Sequence, residues 1–231
     1  MNQIDGKRDR NNSAMMKNSF HKNCNQAFTL IEVILIVATL TLLVAVFLPA
    51  LARQQLKKKQ IACVNNLMQV GLSFRIWDSN GDRYSMAMST NEGGTMEYLE
   101  TSEMFRHFQT LSNELGSPKV LVCPSDKERG AAANFQSLSN SNISYFVGAD
   151  ASENLPQSIL SGDRNVTNGL TPKNGILVLL KNQTVGWTKE IHNRQGNVAL
   201  GDGSVQQCDS ARLQNEIVAH SDLATNRIAL P

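Results

Sequence analysis

From Phe28 to Leu48 the chain runs for 21 residues with a single charge, Glu32. A stretch that long and that apolar is enough for a helix to cross a bilayer. Beyond Pro49, apolar positions recur at Leu56, Ile61, Val64, Leu67 or Met68, Gly71 or Leu72, and Ile76. Spacings of three and four predict a helix to about Trp77 with one stripe turned to a core. Lys57, Lys58, Gln60, Asn65 and Gln69 take the other side. The pattern therefore predicts one long helix, apolar all round in its first half and amphipathic in its second, forming a spine.

Farther on, the periods shorten. In "DSNGDRY" (78–84), Asp78, Asn80 and Asp82 alternate as calcium ligands can, but Gly81 is the fourth residue of the run. An EF-hand loop needs its glycine sixth and a distant Glu; turn formers at a helix exit are the simpler account. "TSEMFRHFQTLSNELGSPKVLVC" predicts a helix capped by Thr101 or Ser102, with Met104, Phe105, Phe108, Leu111 and Leu115 buried and His107 as a surface or capping residue rather than a ligand. Lys119 to Cys123 is expected as a strand, and Ser125 with Glu128 as the capping box of a further short helix. From Ile143, strands are predicted in "ISYFVG", "GILVLL", "TVGWT", "NVALG" and "SVQQC", with Asp202-Gly203 as a two-residue hairpin turn. "DSARLQNEIVAH" predicts a final amphipathic helix. The stretches 85–95 and 137–174 are expected to be irregular.

Composition narrows the class. With 231 residues the chain has room for one membrane helix and one modest head, and a net charge of +2 gives no basic field for nucleic acid. Residues 1–27 are polar, with five Lys or Arg against two Asp, and fit a leader. Of four cysteines, Cys63, Cys123 and Cys208 lie beyond the apolar run, and none shows CxxC spacing, so no zinc site is expected. A Cys63–Cys123 disulfide would staple head to spine, and Cys123–Cys208 would tie two strands. The first pairing is favoured; three free thiols are the remaining alternative.

Glu32 needs an explanation, because a carboxylate within a membrane span is expensive. Ala50-Leu51-Ala52 offers a secretory cleavage site, but the apolar core before it is too long, and a plain signal anchor gives Glu32 no purpose. A cut between Ala27 and Phe28 would create an α-amine at the mouth of the helix. The carboxylate of one subunit could then pair with the amine of a neighbour.

The residues "AFTLIE" resemble the processing site of type IV prepilins and type II secretion pseudopilins. In that family a membrane peptidase cuts before a phenylalanine and methylates it. Ala27 stands where the family usually has Gly, and Pro49 matches a proline that bends or loosens the helix. "CVNNLMQVGLSFRIW", "CPSD" (123–126), "GDRN" (162–165) and "HNRQGNVALGDG" are similar to segments of one branch of such proteins. In the last, His192 is followed by nine residues and then Asp202-Gly203.

The resemblance implies an α+β, pilin-like fold, with a long N-terminal helix packed on a small antiparallel sheet. It implies a leader at 1–27, a transmembrane helix at 28–48, a spine at 49–77 and a head at 78–231. It further implies a single-pass inner-membrane protein with its head outside the cytoplasm, and no cofactor or enzyme activity of its own. The implied partners are copies of itself, other pilin-like subunits, the prepilin peptidase, the inner-membrane assembly platform with its ATPase, and the membrane, but no nucleic acid. The charges flanking the span (five before, four in Arg53 and Lys57–Lys59) barely bias its orientation. For His192 and Asp202 a structural role is favoured over metal binding or catalysis, since no nucleophile motif accompanies them. The alternative functions are an adhesin or ligand-binding head, favoured if Trp187 or Tyr145 lined an exposed groove, and a membrane-anchored hydrolase.

Overall fold

A computed structural model describes residues 29–77 and 83–231. The expected leader at 1–27, the Ala27–Phe28 bond, and Asp78, Asn80 and Asp82 lie outside the described residues. The chain divides into two units, one ending at Leu48 and one running from Pro49 to Pro231.

Helix α1 (Leu30–Trp77) is 48 residues long. Its Leu30–Leu48 portion is long and apolar enough to cross a membrane, with mean hydropathy 2.8 and none of it buried by the described residues. Pro49 falls inside α1, where the two units divide.

In the second unit, α1 and the chain that follows share one core, so spine and head fold together. The face of α1 that enters this core carries Cys63, Leu67, Val70, Gly71 and Phe74. Of the expected stripe, the Leu67 and Gly71 alternatives lie in this core and the other positions are corrected. Leu56, Ile61, Met68, Leu72 and Ile76 are all at least 47% exposed. This part of the helix has apolar residues on two opposite sides, so periodicity alone fits either one.

After three short 3₁₀ turns (Ser85–Ala87, Thr90–Glu92, Met96–Tyr98) come α2 (Phe105–Thr110) and α3 (Ser112–Leu115). The expected single helix is thus two, and it starts later, because Thr101 Oγ accepts from Glu103 N–H in a turn of its own. His107 is buried, not at the surface, with Nδ1 2.7 Å from Thr95 Oγ1. The expected strand at Lys119–Cys123 is instead a 3₁₀ turn, Pro118–Leu121. Pro118 sits at its first position and Ser117 Oγ accepts from Lys119 N–H, both of which favour a helical start. No helix opens at Ser125; Asp126 accepts from Glu128 N–H in a tight turn.

Eight strands follow: β1 (Tyr145–Gly148), β2 (Ile159–Asp163), β3 (Val166–Thr167), β4 (Ile176–Leu180), β5 (Gly186–Trp187), β6 (Gln195–Leu200), β7 (Val205–Asp209) and β8 (Thr225–Ala229). Six make an antiparallel sheet in the order β4-β8-β1-β2-β6-β7, and β3 pairs with β5 apart from it. Strands β2, β3 and β8 were not expected. The helix after β7 (Ser210–Arg212, continuing as a π-helical turn over Leu213–Val218) is not the last element, since β8 follows and inserts between β4 and β1.

Side chains alternate across this sheet as a pleat requires. Tyr145, Val147, Leu160, Ala199 and Ala229 join the α1 core. Phe146, Ile159, Val198, Leu200 and Ile228 join a second core with Trp187, Leu213, Ile217 and Val218. The centre of the sheet is thus covered on both faces. The head is α+β.

Candidate functional site

At the start of α1, Thr29 and Glu32 form a reciprocal cap. Thr29 N–H and Oγ1–H donate to Glu32 Oε2 at 2.9 and 3.0 Å, and Glu32 N–H donates to Thr29 Oγ1 at 3.4 Å. Threonine three residues before glutamate satisfies two N–H groups that a helix start leaves open. The acid therefore has a partner within its own chain as well as any it finds in a neighbour. Lys57, Lys58 and Lys59 are exposed.

In the head, "CPSD", "GDRN" and the His192 segment, far apart in sequence, meet in one buried polar cluster. Cys123 is disulfide-bonded to Cys63 of α1, joining the helix to the loop that leads into the sheet. Cys208 is buried and in no disulfide. Asp126, three residues after Cys123, receives Arg164 Nε at 2.8 Å and Nη2 at 3.0 Å, and Ser144 Oγ–H at 2.9 Å. Burial alone would raise this carboxyl, but the Arg164 fork and Ser144 hold it below the usual carboxylate value. Arg164 also reaches Glu128 and Glu190 at 2.7 and 3.1 Å.

Each residue of "GDRN" has its own task. A Cβ on Gly162 would fall 2.6 Å from the Phe146 ring, so only glycine lets β2 pack there. Asp163, fully buried at the end of β2, accepts from Asn197 N–H and Nδ2–H at 2.8 and 2.9 Å. Asn165 Nδ2 donates to the carbonyls of Thr188 and Gln195.

His192 is held against this cluster by a strained turn. The next two residues, Asn193 and Arg194, both take left-handed backbone conformations (φ 52° and 67°) before β6 begins. Its Nε2 lies 3.4 Å from Cys123 Sγ, 3.4 Å from Asp163 Oδ2 and 3.4 Å from Asn197 Nδ2. Burial pushes the Asp163 carboxyl up to about 7 and draws the His192 imidazole down, so each tends toward its neutral form. A cleft of about 270 Å³, lined by Leu56, Gln60, Ser125, Ile191, His192, Asn193 and Gln195, opens onto the imidazole.

Asp202 is not part of this cluster. The nine residues after His192 contain the whole of β6, so the histidine lies before the strand and Asp202-Gly203 beyond its far end. The loop there has three residues rather than two: Leu200 N–H donates to Ser204 O, and Gly203 (φ 84°) takes the left-handed position. Asp202 accepts from Ser204 N–H at 2.8 Å, and its own carbonyl accepts from Arg75. The acid beside His192 is Asp163, which sequence spacing could not single out. Trp187 and Tyr145 are both buried rather than exposed. Comparison of the chain with protein-family models, curated proteins and solved structures finds no match.

Proposed function

We propose that this protein is a prepilin-like structural subunit of a type II secretion pseudopilus or type IV pilus-like filament. It is cleaved between Ala27 and Phe28, methylated on Phe28, held in the inner membrane by 28–48 with its head outside the cytoplasm, and assembled through its N-terminal helix. One observation carries the proposal. Among the described residues none covers the apolar helix Leu30–Leu48, and its one acid stands at its entrance. Lipid covers such a helix before assembly and neighbouring helices cover it afterwards. The layout of a long helix on an antiparallel sheet is pilin-like, and the motif residues of the head are engaged in holding the head together. Copies of the chain and other pilin-like subunits, the peptidase and the assembly platform are the partners this role requires.

Mass spectrometry of the mature N-terminus tests processing: N-methylated Phe28 is expected, and an intact Met1 or a terminus at Arg53 overturns the proposal. Glu32→Gln then separates the two uses of the acid. Glutamine keeps the cap to Thr29 but carries no charge. Normal cleavage with loss of filaments supports pairing with a neighbour's amine; wild-type filaments would leave capping as the sole role.

A further inference from the structure

The Sγ atoms of Cys63 and Cys123 and a ring nitrogen of His192 all lie within 4.8 Å of one another, and all three residues are buried. A fourth donor, Asp163 Oδ2, is 3.4 Å from His192 Nε2. Zinc binds sulfur at about 2.3 Å, imidazole nitrogen at about 2.05 Å and carboxylate oxygen at about 2.1 Å. The tetrahedral angle then puts ligand nitrogen and sulfur about 3.5 Å apart, and nitrogen and oxygen about 3.4 Å apart. Here Nε2 is 3.4 Å from Cys123 Sγ and 3.4 Å from Asp163 Oδ2. Two edges of such a tetrahedron are already in place; the bond between the sulfurs holds a third too short, and Asp163, which stands outside the set of atoms all within 4.8 Å of one another, closes on the sulfurs only once that bond is broken.

The surroundings suit a cation. Asp163 Oδ1 is buried with no hydrogen-bond partner, and among the described residues no Lys or Arg pairs with this carboxylate. The nearby Arg164 guanidinium is committed to Asp126, Glu128 and Glu190. Both N–H groups of Asn197 orient Asp163 Oδ2, as outer-shell donors orient a ligating carboxylate. The cleft at His192 supplies an access route. Chain spacing conceals the set, because its members come from α1, the loop before β1, the end of β2 and the turn before β6.

We propose that reduction of the Cys63–Cys123 disulfide turns this cluster into a site for a thiophilic divalent cation of the zinc class, with Cys63, Cys123, His192 and Asp163 as its ligands. Two sulfurs and an imidazole select such an ion over magnesium or calcium. A dithiol reductant gives two electrons and two protons to the disulfide and is itself oxidised to a disulfide. The two thiols then each release a proton as the cation binds both thiolates. The spine stays stapled to the head in either state, by sulfur–sulfur bonding or through the ion. This inference needs only the geometry of the head and is independent of the filament proposal.

The test uses the full chain in detergent, oxidised or reduced with a phosphine, and titrated with Co²⁺ and then Zn²⁺. The reduced chain should bind one Co²⁺ with the thiolate charge-transfer and intense visible bands of a tetrahedral site, and Zn²⁺ should displace it. The oxidised chain should show neither band. Replacing Cys24 and Cys208 with Ser should leave the bands intact, whereas His192→Ala or Asp163→Asn should weaken binding roughly tenfold or more. Because those variants could lose the fold, the comparison of redox states in the unmutated chain decides by itself. No bands on reduction, equal binding in both states, or bands that persist in Cys63→Ser or in the guanidinium-unfolded chain would overturn the proposal.

Discussion

An imidazole sealed in an apolar layer has one inexpensive state, the neutral one, and His107 is held there. It is fully buried on α2, bonded through Nδ1 to Thr95 Oγ1, and burial lowers its pKa from 6.5 to about 4. The unfolded imidazole takes up its proton near pH 6.5 and the folded one only near 4, so the unfolded state binds more protons between these values. Stability contributed by neutral His107 is therefore complete above pH 6.5 and is lost as the pH falls to 4, by about 3 kcal/mol. Denaturant titrations of the detergent-solubilised chain across this window should show the loss. His107→Asn, which keeps a polar atom near the Thr95 hydroxyl, should give a shallower slope than the wild type; an equal slope would mean that other groups carry it. The sequence reading of His107 as a surface or capping residue missed this burial, because the Thr95 segment that covers it lies outside its own helix.

At the level of elements, the hydrophobic code was legible where strands are continuous and apolar, as in β1, β4 and β6. It was not legible in β2 ("ILSGD") or β8 ("TNRIA"), whose polar residues take partners far away in the chain. Asp163 is bonded by Asn197, and Arg227 by Asp150 at 2.6 Å. The motif residues of the head were visible as motifs, but their meeting was not, since it depends on β2 lying beside β6. Two glycines show how closely these elements approach. Gly71 of α1 faces β6, where an added Cβ would lie 3.8 Å from the Ala199 Cβ, ordinary contact. Gly162 of β2 would place its Cβ 2.6 Å from the Phe146 ring and 2.7 Å from the Asn197 carbonyl oxygen. Gly71→Ala should therefore stabilise the head by about 0.5–1 kcal/mol, since alanine is the better helix former. Gly162→Ala should destabilise it by about 2 kcal/mol or more through overpacking. Denaturation midpoints measure both, and a destabilising Gly71→Ala would mean that α1 and β6 are closer than described.

On the scale of the whole molecule, α1 presents apolar surface that the described residues leave uncovered. In Leu30–Leu48 this is expected of a helix destined for lipid. It continues in the second unit, where Ile61, Met68, Leu72 and Ile76 line the side of α1 opposite Leu67, Val70 and Phe74 and are about half exposed. In a subunit that assembles through its helix, such a stripe is covered by other copies; in a merely tethered head it faces water. The two cases separate because the stripe contributes little to the fold of one chain. Replacing Met68 and Leu72 together with Ser should change the head's stability by no more than about 0.5 kcal/mol, the usual range for surface substitutions. If the chain is processed and assembled as proposed, cleavage before Phe28 should proceed normally, and the double variant should be missing from sedimented filaments while accumulating in the membrane fraction. Should it enter filaments as the wild type does, the contact between subunits would lie wholly within the apolar half of α1, and the exposed stripe would have no part in assembly.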